Sequence, residues 1–345
     1  MRQPLHPLSW ALWLLAGLGL LSLTRNPLYL ALIFAWIGVV GGSVRLVGLT
    51  SRRQPLLSPL RFGLLVIPVT MLVNALNVHI GATILWVLPL ALPLIGGPIT
   101  LEALVYGALN GLVLTAIYAL VVLVNQVLTV RAIVGLAPRA YSPLAVVATI
   151  ALTFAPLTVR QIQVIREAQA VRGQRMQSLR DWLPLFLPLL LSGLERALQL
   201  AEAMTARGFA GNHRQTTPFA LRLGLIGGLL AMVAGLALQL RWPGATSGGW
   251  LAMGGLALLG AGLWWSGRRQ PHTVYRPAAF RRRDWLVSGA ALGALTLFLI
   301  PWFDRASLFY YPYPRLSLPG FHLLHGLATW GLLAPAFVLL WERNR

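Results

Sequence analysis

The sequence predicts an all-α, polytopic integral membrane protein with about eight to ten transmembrane helices. Of the 345 residues, 57% are hydrophobic and only 10% are charged, whereas about a quarter of the residues are charged in ordinary soluble domains. Apolar runs near the ~20 residues that a helix needs to cross a ~30 Å hydrocarbon core recur along the whole chain. Lipid must therefore be the solvent for most of the surface, and we expect no soluble domain.

Ten apolar runs are candidate spans. They are Leu8–Leu23, Leu28–Val44, Phe62–Val78, Ile84–Ile95, Ala103–Val127, Ser142–Val159, Phe219–Leu240, Trp250–Trp265, Trp285–Trp302 and Phe321–Trp341. The first run follows Arg2 but continues into further spans without a cleavage site, so we expect an anchor rather than a signal peptide. The fourth run carries Pro89 and Pro93 and rises only ~18 Å as a helix, which predicts a re-entrant segment or one completed by its neighbours.

The basic residues indicate the orientation. All 28 are arginine, the formal net charge is +20, and they lie mostly in short loops between apolar runs. With a cytoplasmic N-terminus and ten crossings, only six arginines lie outside, namely Arg25, Arg131, Arg139, Arg241, Arg305 and Arg315. This bias predicts a multi-pass protein of the cell membrane with cytoplasmic N- and C-termini. It also explains the high charge without a nucleic-acid partner.

Lysine and cysteine are both absent from the sequence. The chain therefore lacks a phosphate-binding loop, a Schiff-base lysine and a thiolate nucleophile or metal ligand. We expect no catalytic residue and no cofactor, and any ATP must be bound by another subunit.

Histidine pairs offer little for a metal site. His322 and His325 stand three residues apart, but no nearby carboxylate completes a site, and we expect both to be interfacial. For His79, near Asn74 and Asn77, we expect hydrogen bonding between helices.

One long segment, Arg160 to Pro218, is helical in pattern but too polar to cross the membrane. Its apolar stretch Leu183–Leu191 is short and is interrupted by Pro184 and Pro188, so we expect it to remain uncrossed. The predicted organisation is an N-terminal transmembrane region of about six spans (1–159), this cytoplasmic segment (160–217) and a C-terminal transmembrane region of about four spans (218–345).

The cytoplasmic segment contains a repeated helix ending. The first Arg-Gly motif, Glu167–Gly173, and the second Arg-Gly motif, Glu202–Gly208, share Glu, Ala, Arg and Gly, and their arginines are 35 positions apart. Glycine adopts the left-handed turn that ends a helix, and arginine meets the negative end of the helix dipole. One copy would be an ordinary cap worth ~0.3–1 kcal/mol. Two copies predict two similar docking surfaces, because an arginine at a helix tip suits a bidentate contact with a partner carboxylate.

The residues expected to dock are those at the two tips: Ala170, Val171, Arg172, Gly173, Ala206, Arg207 and Gly208. Residues expected to support these helices lie upstream: Glu167, Ala168, Glu195, Arg196, Glu202 and Ala203. The small residues among them permit close approach of a second helix.

These motifs resemble those of the transmembrane (T) component of energy-coupling factor transporters, the EcfT/CbiQ family. The resemblance rests on Arg166–Gly173, Leu183–Leu185, Leu194–Ala197 and Leu200–Phe209, with support from Thr24–Leu28 and Pro98–Ala103. It covers about residues 5 to 240, and the last three spans are less typical.

The resemblance implies that residues 160–217 form crossed coupling helices, whose two Ala-Arg-Gly motifs enter grooves on two cytoplasmic ATPase subunits. Those subunits would be of the EcfA type, as the same or different chains, and a separate membrane subunit, the S component, would select the substrate. Arg172 and Arg207 would be the coupling arginines, and Val171 departs from the usual Ala. This chain would then be a non-catalytic subunit for uptake of a vitamin, a metal ion or another small solute.

Two other classes of membrane protein are alternatives to a transporter subunit. A stand-alone channel or secondary transporter would use intramembrane charge or broken helices, for which Glu102 and the stretch Pro89–Pro98 are the candidates. A membrane-embedded enzyme would need carboxylates gathered at one face. Four of the eight acidic residues lie in the cytoplasmic segment, and Glu102, Asp284, Asp304 and Glu342 are scattered.

Overall fold

The computed structural model describes residues 5–49, 57–87, 97–136, 142–173, 182–209, 219–241, 246–268, 279–299 and 305–343. The helices are α1 (Pro7–Leu23), α2 (Pro27–Val47), α3 (Pro59–Asn77), α4 (Leu101–Val127), α5 (Val130–Val134), α6 (Ser142–Val171), α7 (Leu183–Ala206), α8 (Phe219–Arg241), α9 (Thr246–Arg268), α10 (Arg282–Leu299), α11 (Leu323–Ala328) and α12 (Ala334–Arg343). Two short 3-10 helices, Arg305–Leu308 and Thr329–Leu333, and two strands, β1 (Ile84–Val87) and β2 (Pro98–Thr100), complete the described elements.

The helical content confirms the all-α class. Six helices are long and apolar enough to cross a membrane, fewer than the eight to ten expected, within the ranges that the structure describes. These six are Pro27–Val47, Pro59–Asn77, Leu101–Val127, Leu144–Val171, Leu221–Gln239 and Leu323–Arg343. Helix α1 is also apolar but slightly shorter.

The chain forms two compact units, residues 1–133 with 276–345 and residues 134–275. This grouping differs from the linear division at 159 and 217, because the segment after 276 returns to the N-terminal unit. In that unit α1, α2, α4, α10 and α12 enclose a core of large side chains. Trp13, Leu20, Leu120 and Leu332 are completely buried there.

Helices α3 and α4 form an antiparallel hairpin. Asn74 near the end of α3 donates a hydrogen bond to the carbonyl oxygen of Ala103 at 2.5 Å. At the other end, the Tyr118 hydroxyl donates to the carbonyl oxygen of Leu57 at 2.8 Å. A methyl group added to Gly107 would lie 2.6 Å from the carbonyl oxygen of Thr70. The absence of a side chain there lets the two backbones approach closely.

The fourth candidate span, Ile84–Ile95, does not begin as a helix. Residues Ile84–Val87 are strand β1, which pairs antiparallel with β2, and residues 88–96 lie outside the described residues. Three of the four residues of β1, namely Ile84, Trp86 and Val87, are β-branched or aromatic. Such side chains favour a strand in an apolar run that is too short for a spanning helix.

The second unit contains α6 to α9. Helices α8 and α9 pack antiparallel along glycines that recur every seven residues, Gly228 and Gly235 on α8 and Gly248, Gly255 and Gly262 on α9. A methyl group added to Gly235 would lie 2.4 Å from the backbone nitrogen of Ala252. Close approach of backbones through small residues is a common way for helices to associate in lipid.

Helix α7 differs from the expectation of an interrupted apolar stretch. The run Leu183–Leu191 is continuous with the rest of α7. Pro184 lies in the first turn, where a missing N–H costs nothing, and Pro188 removes only one internal bond near the helix start.

Candidate functional site

The first Arg-Gly motif ends α6. The N–H of Arg172 donates to the carbonyl oxygen of Gln169 at 3.1 Å, and the N–H of Gly173 donates to that of Ala170 at 3.0 Å. These are tight i to i−3 bonds of the kind that close a last helical turn. Gly173 has a φ of +79°, so the chain leaves the helix in the left-handed conformation that glycine adopts without strain.

The second Arg-Gly motif ends α7 in the same way. The N–H of Gly208 donates to the carbonyl oxygen of Thr205 at 2.9 Å, and the φ of Gly208 is +75°. A methyl group on either glycine would meet nothing within 4 Å. The left-handed backbone alone therefore requires glycine at these two positions, as the motif predicts.

Both tips are open to the surroundings. Arg172 and Arg207 are exposed, and Val171 is 89% exposed. Ala170, Gly173, Ala206 and Gly208 are exposed as well. Within the described ranges neither arginine forms an ion pair. Each guanidinium group can therefore donate two hydrogen bonds to the carboxylate of a partner.

The supporting residues are mostly exposed too. Glu167, Ala168, Glu195, Glu202 and Ala203 lie on accessible faces, and Arg196 is partly buried. Helices α6 and α7 pack against each other, and Ile165 and Leu185 are the buried apolar side chains among those described in this pair. The structure thus brings the two helices together and leaves both motifs exposed at the helix ends.

An exposed apolar stripe on α7 was not among the predicted site residues. It consists of Leu187, Leu190, Leu191, Leu194 and Leu198, each more than half exposed. Their spacing of three, four and seven residues places them on one face of the helix. That spacing could have identified the stripe in the sequence, but the interruption expected at Pro188 obscured it.

The supporting motif Thr24–Leu28 has a structural role. Asn26 caps α2, and its side-chain amide donates to the carbonyl oxygens of Ser307 at 2.8 Å and Gly320 at 2.6 Å. The Thr24 hydroxyl donates to the carbonyl oxygen of Leu308 at 2.9 Å. The motif therefore joins α2 to the segment that follows α10.

The second supporting motif, Pro98–Ala103, also forms a local network. Thr100 caps α4, and its hydroxyl donates to the carbonyl oxygen of Ile80 at 3.0 Å. The Glu102 carboxylate is buried and accepts hydrogen bonds from the N–H groups of Ala82 and Thr83. Glu102, the charge considered for a transport pathway, thus holds the loop that follows α3.

The histidines take part in local packing. His325 is only 1% exposed and packs edge-on against Tyr29 and Phe298, and its expected place at the membrane interface stays a prediction. The His79 ring contacts the carbonyl oxygen of Pro98 at 3.3 Å, and Asn74 supplies the hydrogen bond between helices. Three or more potential metal ligands do not cluster anywhere in the part of the chain that the structure describes.

Comparison with known proteins identifies a family. The model of the family CbiQ, described as cobalt transport protein, matches residues 2–218. An energy-coupling factor transporter transmembrane protein, EcfT 1 of Listeria monocytogenes, is 27% identical over 140 residues, which are 35% of this chain and 52% of that protein. The EcfT of Leuconostoc gelidum is 31% identical over 128 residues, or 31% of this chain and 48% of that protein. The chain thus spans about half the length of these curated relatives.

Proposed function

Because this chain belongs to the CbiQ family of cobalt transport proteins, we propose that it is the transmembrane scaffold subunit of an energy-coupling factor importer. It would couple ATP hydrolysis by two cytoplasmic ATPase subunits to the reorientation of a substrate-binding membrane subunit. The cargo would be a vitamin, a metal ion or another small solute. The observation that carries the proposal is the pair of exposed Arg-Gly motifs on neighbouring helices, both inside the matched residues.

The α3–α4 hairpin constrains the topology. Because Asn74 contacts Ala103, α3 ends and α4 begins at the same end of the hairpin, so the chain between them makes no net crossing. From a cytoplasmic N-terminus, the four crossings α1 to α4 return the chain to the cytoplasm. Helix α6 then starts on the cytoplasmic side.

Helix α6 is long and apolar enough to span a membrane, but a crossing would carry both Arg-Gly motifs outside. We therefore assign α6 to the cytoplasmic membrane surface, in place of a span at Ser142–Val159. With this topology only four of the 28 arginines lie outside, namely Arg25, Arg241, Arg305 and Arg315. The positive-inside bias becomes stronger than in the ten-span arrangement, which supports this assignment.

The two kinds of exposed surface suit two kinds of partner. An arginine at each tip can form charge-assisted bidentate hydrogen bonds with a carboxylate in a groove of an ATPase subunit. The apolar stripe on α7 suits an apolar surface of the substrate-binding membrane subunit, since amphipathic helices dock through such faces. One helix would then contact both partners, which is the requirement for mechanical coupling.

Co-purification with the products of neighbouring genes tests the proposal. We expect the tagged chain to retain two ATPase subunits and a small membrane protein. In the variant Arg172→Glu/Arg207→Glu, binding of the ATPase subunits should weaken by about 2–5 kcal/mol, because each acidic groove would face a like charge. Membrane insertion should not change.

The matched control is Arg160→Glu/Arg166→Glu, which makes the same charge change at two exposed positions of α6. It should retain the ATPases. If the control and the tip variant bind equally, the motifs are caps alone. A purified single chain that moves solute across proteoliposomes would instead favour the channel or secondary transporter.

A further inference from the structure

The start of α10 and the end of α12 meet through an ion pair. Arg283 donates from its guanidinium group to the Glu342 carboxylate. Arg281 and Arg282 immediately precede this pair on one chain segment, and Arg343 follows it on the other. Four arginines therefore gather at one end of the bundle, in a part of the chain beyond the residues that the family model matches.

The acidic residues at this end are already engaged. Asp284 is 1% exposed, and its carboxylate accepts hydrogen bonds from the N–H groups of His6 at 2.7 Å and Arg281 at 2.9 Å. Glu342 pairs with Arg283. Arg281, Arg282 and Arg343 are exposed and have no carboxylate partner among the residues that the structure describes. This end of the bundle therefore carries an uncompensated positive charge.

Large aromatic side chains lie beside these arginines. Trp285 is 69% exposed and lies one helical turn from Arg281 and Arg282, on the same face. On α12, Trp341 is 55% exposed and Phe337 is 67% exposed, with their ring centroids 5.9 Å apart. Exposed tryptophans next to arginines are the side chains expected at the headgroup level of a membrane.

We propose that this end of α10 and α12 binds the head group of an anionic phospholipid. Arg281, Arg282 and Arg343 would hold its phosphate, and Trp285 would contact its glycerol and upper acyl chains. Charge complementarity selects an anionic lipid over a zwitterionic one, because three exposed arginines have no carboxylate counter-ion among the described residues. A soluble acidic partner fits less well, since the adjacent exposed rings require an apolar phase.

The test measures lipid bound to the full-length protein. Protein reconstituted in nanodiscs of phosphatidylcholine and phosphatidylglycerol is extracted in mild detergent, and retained lipid is counted by native mass spectrometry. We expect retained phosphatidylglycerol in the wild type. The variant Arg282→Gln/Arg343→Gln should lower its apparent affinity by roughly tenfold to thirtyfold, because each arginine near an anionic surface contributes separately.

The matched control, Arg45→Gln/Arg61→Gln, removes two exposed arginines elsewhere in the same unit and should retain the lipid. Equal retention by both variants and the wild type would overturn the proposal. Equal loss in both variants would also overturn it, since the attraction would then be general. Added inorganic phosphate should not displace the lipid, and displacement would instead assign the site to free phosphate. Unchanged thermal midpoints show that the variants are folded.

Discussion

The buried carboxylate of Glu102 accepts hydrogen bonds from the backbone N–H of Thr83, with oxygen-to-nitrogen distances of 3.1 and 3.3 Å. This contact joins the first turn of α4 to the loop after α3, and a further bond from Ala82 at 3.2 Å reinforces it. The relationship explains why an acidic residue stands at the start of an apolar helix: its carboxylate is the acceptor for the Thr83 N–H and a second acceptor for the Ala82 N–H, which also donates to the carbonyl oxygen of Pro314 at 2.9 Å.

The first prediction concerns this carboxylate. Glu102→Ala should lower the thermal midpoint in detergent, because the Thr83 N–H loses its carboxylate acceptor and the Ala82 N–H keeps only its bond to the carbonyl oxygen of Pro314. Glu102→Gln keeps one carbonyl oxygen and should have an intermediate midpoint. Glu167→Ala is the control, since that side chain is exposed on α6. A midpoint for Glu102→Ala equal to that of the control would show that the loop does not depend on Glu102.

The second prediction concerns Asn26. Asn26→Ala should reduce the free energy of unfolding by about 2–4 kcal/mol, because it removes an N-cap and the hydrogen bonds that the Asn26 amide donates to the carbonyl oxygens of Ser307 and Gly320. Ser58→Ala removes only the exposed cap of α3 and should cost about 0.5–1 kcal/mol. Unfolding in mixed detergent micelles measures both values. Similar losses in the two variants would argue against a special role for Asn26.

The third prediction uses two adjacent glycines of α9. A methyl group on Gly255 would lie 2.5 Å from the backbone nitrogen of Met232, whereas one on Gly254 would meet nothing within 4 Å. Gly255→Ala should therefore destabilise the α8–α9 hairpin by about 1–3 kcal/mol. Gly254→Ala should be neutral or stabilise by up to about 1 kcal/mol through helix propensity. Protease resistance in detergent should fall for Gly255→Ala and should not fall for Gly254→Ala, and equal effects would contradict the close approach.

The fourth prediction rests on the proposed function. Gly208→Ala places a side chain at a φ of +75°, which costs about 1–2 kcal/mol. If Arg207 docks in an ATPase groove, the variant should weaken co-purification of that subunit by roughly five- to thirtyfold. Gly193→Ala, in the middle of α7 with nothing within 4 Å of an added methyl, is the control and should bind normally. Normal binding by Gly208→Ala would mean that the tip geometry does not affect docking.

The part of the candidate site that depends on neighbouring residues in the sequence was predictable. Each Arg-Gly motif contains its own helix ending, because a left-handed glycine and an arginine at the negative helix end act within one turn. The exposure of Arg172 and Arg207 was not predictable in the same way, since it depends on what packs nearby. The apolar stripe on α7 was missed because Pro188 was expected to interrupt a helix that the structure shows to be continuous.

The sequence by itself determined the all-α class, most helix positions, and the two glycine-ended helices, because hydrophobic length and capping chemistry act over short stretches of chain. Tertiary structure alone decided that Ile84–Val87 is a strand, that α3 and α4 form a hairpin, and that Asn26 bonds residues more than 280 positions away. These features depend on partners distant in sequence, which local patterns do not specify. The hairpin in turn changed the inferred number of crossings and therefore the proposed place of α6.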